Sequence, residues 1–116
     1  MAVAAKDPIA AADFFAVDLR VGRVVDAAPF TAARDPAVVL TVDFGPHVGT
    51  LRTSAKVANY APESLIGRDV VGVVNLPPKR VANLTSEFLV LGGLEADGTV
   101  RLLAPDASLP PGSVVS

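Results

Sequence analysis

The sequence predicts an all-β fold, a small closed barrel of short strands. Three observations carry this. The 116-residue chain is 51% hydrophobic but only 5% aromatic, with no Trp, so valine, leucine and alanine must fill the core. Valine favours strands. Nine glycines and ten prolines interrupt the chain too often for long helices. Finally, Val17 to Asp26 alternates apolar and polar residues, the period of a half-buried strand.

The elements follow in order. Asp7 caps a short helix with Pro8 at its first position, and the alanine-rich stretch from Ile9 to Phe15 continues it. In the first strand Val17, Leu19 and Val21 face one way and Asp18, Arg20 and Gly22 the other, and Gly22 marks a bulge or tight bend. Ala27 to Pro36 reads as a loop. Val38 to Phe44 is the second strand and ends at Gly45-Pro46. Val48 to Ser54 is the third, with Leu51 inward and Arg52 outward.

Pro62 to Leu65 forms a short helix that Gly67 ends. Asp69 to Asn75 is the fourth strand. The prolines of Asn75-Leu76-Pro77-Pro78-Lys79-Arg80 stop it, because proline lacks an amide hydrogen. That turn presents two adjacent cations. Ser86 to Leu91 is the fifth strand and exits at Gly92-Gly93. A turn at Glu95 to Gly98 and a last short strand, Thr99 to Leu103, precede a Pro-rich tail. The order β-β-β-α-β-β is that of the OB-fold, a five-stranded Greek-key barrel. The helix between strands three and four plugs one end, and short extensions flank the barrel.

Composition narrows the function. The length fits one domain, residues 1–116. With no cysteine, disulfides and thiolate metal sites are excluded, and the composition is compatible with the cytoplasm. The first residues lack the charged start and apolar run of a signal peptide. No apolar stretch approaches the roughly 20 residues that cross a bilayer, so no membrane insertion is expected. The net charge of −2 and pI near 5.2 argue against bulk attraction to nucleic acid. An anionic partner therefore needs a local basic face.

Four pieces of sequence carry a family resemblance. They are Val17-Asp18-Leu19-Arg20-Val21-Gly22-Arg23-Val24, Val42-Asp43-Phe44-Gly45, Pro62-Glu63-Ser64-Leu65-Ile66-Gly67-Arg68, and Asn75 to Arg80 with Ser86-Glu87 and Leu91-Gly92-Gly93. In that order and spacing they resemble the tRNA-binding OB domains, found as free proteins and at the ends of some methionyl- and phenylalanyl-tRNA synthetases. The resemblance covers about residues 13 to 104. Phe30-Thr31-Ala32-Ala33-Arg34-Asp35-Pro36-Ala37 replaces the His-Pro segment usual in the synthetase domains and is closer to the CsaA family. The CsaA resemblance implies a homodimer built with the flanking segments, tRNA as a partner, and an export-related chaperone activity on unfolded or precursor polypeptides.

An OB-fold binds ligands across its second and third strands and the adjoining loops. The RNA-binding candidates are Arg20, Arg23, Arg52, Lys56, Lys79 and Arg80, with Asn75 and Ser86 at the same edges. Phosphate contacts dominate such affinity and make it salt-sensitive. Structural roles compete for each position. Arg20 has Asp18 and Asp43 within reach as partners, and Arg52 and Lys56 have simple solvation. Ser54 and Asn59 suit turn caps. Asn75 suits a lock on the Pro-Pro turn, and Glu87 suits pairing with Lys79 or Arg80. Phe30 is the one ring placed for exposure in a loop, so recognition of RNA shape and backbone is favoured over base stacking. The alternative is an apolar groove for polypeptide.

Catalysis has no motif. His47, the single histidine, lies in a turn, and neither a Gly-x-Ser-x-Gly elbow nor a P-loop occurs. No cofactor, metal site or catalytic residue is expected.

Overall fold

The computed structural model describes residues 3–116. The elements run α1 (Ala11–Phe15), β1 (Leu19–Pro29), β2 (Val38–Asp43), β3 (Thr50–Ala55), α2 (Pro62–Leu65), β4 (Asp69–Val73), β5 (Lys79–Val81), β6 (Leu84–Ser86), β7 (Leu89–Val90), β8 (Gly92–Leu94), β9 (Val100–Leu102) and β10 (Val114–Val115). Five antiparallel strands in the order β3-β2-β1-β4-β7 make a nearly closed OB-type barrel. Side-chain and backbone bonds then close the gap between β3 and β7. Thr53 Oγ1 donates to the Phe88 carbonyl at 2.7 Å, and the Glu87 amide donates to the Arg52 carbonyl at 2.8 Å.

The core centres on Phe44, fully buried and edge-to-face with Phe88 at 4.9 Å. Val24, Leu40, Val42, Val57, Leu65 and Val70 pack around it. Two glycines make room for the ring. A Cβ at Gly22 would lie 2.7 Å from Phe44 Cε1, and one at Gly72 would lie 2.8 Å from Phe44 Cζ. Pro62 starts α2, its Leu65 plugs the barrel, and Gly67, at φ 89°, ends it while its amide donates to the Val24 carbonyl.

Several sequence expectations change. The first helix starts at Ala11 rather than near Pro8, because the Asp13 carboxylate, not Asp7, receives the amide of Ala10 at its start. Both faces of the first strand are covered: Leu19 and Val21 are buried, with Leu19 joining Val71 and Val73 in a second cluster, while Gly22 and Val24 face the barrel core on the side that alternation leaves outward. The C-terminal tail causes this. Its strand β10 pairs with β1, and Val115 covers that cluster, so both faces of β1 are apolar and alternation cannot orient it. The register slip lies at Val25, between Val24 and Asp26, rather than at Gly22. The fifth strand divides into β6 and β7, with β5 and β6 forming a separate hairpin. Phe30 is buried with Ala37 and Leu84, so it offers no stacking platform.

Candidate nucleic-acid interface

The outer face of β3 carries Arg52 and Ser54, with Lys56 just beyond the strand end. Beside it the β5–β6 hairpin carries Lys79 and Arg80, in register with Ser86 and Thr85. Arg80 Nη1 donates to Thr85 Oγ1 at 3.2 Å, which holds its guanidinium along the hairpin. Lys56 and Lys79 line one groove with Ser54 and Ser86. All four cations are exposed. Among the described residues, Arg52, Lys79 and Arg80 form no ion pair, and Lys56 meets only Asp35, at 3.3 Å in an open setting.

Arg34 lies nearby in the chain, in the Phe30 to Ala37 segment that carries the CsaA resemblance but that the sequence does not mark as a binding segment. Arg34 is exposed, and it sits between Ala33 and Asp35, which line the same groove. The available signal is its place in the loop joining strands one and two, a ligand-binding loop of this fold. Four of the ten cations, Arg52, Lys56, Lys79 and Arg80, thus lie on β3 and the adjoining hairpin, beside two of the twelve carboxylates, Asp35 and Glu87. The local sign is positive in a chain that is negative overall.

The other candidates are engaged elsewhere. Arg20 Nε donates to Asp18 Oδ1 at 2.7 Å, and Nη1 donates to the Gly112 carbonyl. The hydrogen bond to Asp18 raises the Arg20 pKa above its ordinary value. Arg23 pairs with Asp69 and reaches Ser108 and Leu109. Both arginines therefore bind the C-terminal tail to β1 instead of standing beside β3. Asn75 does not lock the prolines. Its side chain accepts from the Asp18 amide at 2.9 Å and donates to the Ala16 carbonyl at 2.8 Å, clasping the N-terminal segment. Asn59 donates to the Val100 carbonyl. Ser86 Oγ is hydrogen-bonded to Thr53 Oγ1 inside the seam. Glu87 binds the backbone amide of Arg52 rather than Lys79 or Arg80.

Among the described residues no group of three His, Cys, Asp or Glu is placed to hold a metal. No helix there is long and apolar enough to cross a membrane.

A barrel of this topology with charged strands and loops on one face defines a class of ligand-binding OB module. Comparison with known proteins sharpens the class. The family model of the putative tRNA binding domain matches residues 19–114, and the likeness to two CsaA structures is close; the chain belongs to this tRNA-binding-domain family, in its CsaA branch. The structure of chaperone CsaA from Bacillus anthracis str. Ames superposes with a TM-score of 0.90 at 47% identity, covering 95% of this chain and 100% of that one. The CsaA chaperone protein from Picrophilus torridus gives 0.88 at 40% identity, covering 94% and 100%. The methionine–tRNA ligase of Porphyromonas gingivalis is 36% identical over 109 residues, 94% of this chain. The chain spans only 16% of that relative's length.

Proposed function

We propose that this protein binds tRNA without catalysing a reaction on it. The contacts go to the RNA backbone, through Arg34, Arg52, Lys56, Lys79 and Arg80. The observation that carries this is the segregation of the cations. Those on β3 and the β5–β6 hairpin are exposed and largely unpaired, whereas Arg20, Arg23 and Arg101 are held by carboxylates. Unpaired cations on one face neutralise phosphates and release counterions, so binding weakens as salt rises. A tRNA partner also favours the cytoplasm as the site of action.

The protein acts as a homodimer joined through its flanking segments. Ile9 is 68% exposed, Phe15 71% and Val114 67%, and Phe14, Phe15 and Val114 border one concavity. Apolar side chains so exposed mark a contact surface, and the CsaA likeness favours a second copy there. The same surface and the chaperone relatives leave polypeptide as the competing ligand.

The test is binding of bulk tRNA at two salt concentrations, beside an unfolded polypeptide, with the mass of the free protein measured by light scattering. Salt-sensitive tRNA binding by a dimer supports the proposal. Polypeptide binding without tRNA binding overturns it.

A further inference from the structure

We propose that the groove between β3 and the β5–β6 hairpin takes the base of one unstacked nucleotide of the bound RNA. This rests on the RNA reading above and adds a base contact to it. The groove has a volume of about 400 Å³. Leu76, Pro77, Val81 and Leu89 line it, and the exposed Lys56 and Lys79 border it together with the Asp35 carboxylate. Leu76 and Leu89 are about half exposed, at 46% and 51%, so the walls present apolar surface to the groove and to water. A base is a flat apolar body carrying an anionic tail. An apolar slot bordered by cations complements that shape and charge, whereas an apolar peptide side chain needs no cation there.

The polar groups divide in the same sense. Thr53 Oγ1 donates to the Phe88 carbonyl, and Ser86 Oγ is bonded to Thr53 Oγ1. Both hydroxyls are engaged within the barrel seam. The Ser54 hydroxyl also lines the groove and makes no hydrogen bond among the described residues. A hydroxyl both donates and accepts, so it can meet the edge of any base. Recognition at this position is therefore tolerant of sequence. The Lys56–Asp35 pair is open, with side chains 75% and 62% exposed, so a phosphate exchanges easily for the carboxylate.

The experiment compares three probes on the full chain: an unstructured oligoribonucleotide of about six residues, its abasic counterpart with the same phosphates, and bulk tRNA. The base-containing strand should bind about tenfold more tightly than the abasic one, the range of a single buried base contact. Leu89→Ala and Ser54→Val should shrink that ratio while tRNA binding stays salt-sensitive, and Ser54→Thr should restore it. Equal affinity for the two strands, with tRNA still bound, overturns the pocket and leaves the RNA reading standing. Loss of all RNA binding, tRNA included, overturns both. An apolar peptide that binds the groove in a Leu89-dependent manner, undisplaced by the oligonucleotide, assigns it to polypeptide and also overturns the proposal.

Discussion

Arg52 and Glu87 are joined twice. The Arg52 amide donates to Glu87 Oε1 at 2.9 Å, and the Glu87 amide returns a bond to the Arg52 carbonyl at 2.8 Å. This reciprocal pair fastens β3 to the segment between β6 and β7, where the main ladder is open. It also leaves the Arg52 side chain free on the outer face. Replacing Glu87 by alanine removes the acceptor but leaves the Arg52 amide in place. Stability should fall by about 1 kcal/mol, as read by urea denaturation. Glu87→Gln keeps an acceptor oxygen and should lose less. Equal stability of all three proteins would show that the seam does not depend on this bond.

The cations should separate into two groups. Lys79→Ala with Arg80→Ala removes two groups that make no ion pair, so the fold should be kept while tRNA affinity drops. The log–log slope of affinity against salt should decrease by about one for each phosphate no longer neutralised. Arg20→Ala and Arg23→Ala remove groups tied to Asp18, Asp69 and the C-terminal tail. Those variants should loosen the tail and leave the slope unchanged. A slope that falls equally in both sets would refute the assignment of the face to β3 and the hairpin.

The core geometry gives a third test. Adding a methyl group at Gly72 would place it 2.8 Å from Phe44 Cζ and 3.0 Å from Phe88 Cδ2. Both rings are buried and cannot swing clear. Gly72→Ala should therefore destabilise the fold by about 1–3 kcal/mol, the usual cost of overpacking a core. Gly93→Ala meets nothing within 4 Å and serves as the control. A thermal midpoint for Gly72→Ala equal to that of the control would remove this account of the glycine.

The fold is legible in the sequence because its signals are local. Valine runs, Pro62 at the start of α2, Gly67 after it and the turn from Glu95 to Gly98 all act over a few residues. The departures come from residues far apart in the chain. Alternation puts Gly22 on the outer face because only the fold brings Val115 over the second face of β1 and Phe44 beneath the glycine. The site divides similarly. Lys79 and Arg80 stand out by adjacency, and the structure leaves both exposed. Arg20 and Arg23 carry the same charge; the Asp18 partner of Arg20 is local and legible, but their remaining partners, Asp69, Leu109 and Gly112, lie far along the chain. Asn75 reads as a turn lock because its true partners, Asp18 and Ala16, lie 57 and 59 positions away.

Asp97 gives a pH dependence. Its Oδ1 accepts from the Thr99 amide at 2.9 Å, in the turn between β8 and β9. That bond favours the ionised form and holds the carboxyl below its ordinary value. A depressed folded-state pKa contributes stability above the unfolded value, about 3.9, and loses it as pH falls through the folded value. The thermal midpoint of Asp97→Ala should lie below that of the parent at about pH 7, and the gap should close near pH 2. A gap that persists unchanged into acid would mean that charge plays no part in the turn.

The Asn75 clasp ties the N-terminal segment to the loop that presents the hairpin. One side chain bridges Asp18 and Ala16, and the Val74 amide adds a bond to the Asp18 carbonyl at 3.0 Å. Asn75→Ala removes both side-chain bonds and leaves the Val74 bond. The contacts are exposed, so global stability should change by only about 1 kcal/mol. The local effect should be larger, because α1 has no buried residue to hold it in place. Amide exchange in residues 11–18 should accelerate by about tenfold or more, while β2 and β3 keep their protection. If the flanking segments join two copies, the variant should also dissociate at a higher protein concentration. Unchanged exchange in α1 would show that some other contact holds the segment and that Asn75 serves another purpose at the edge of the candidate site.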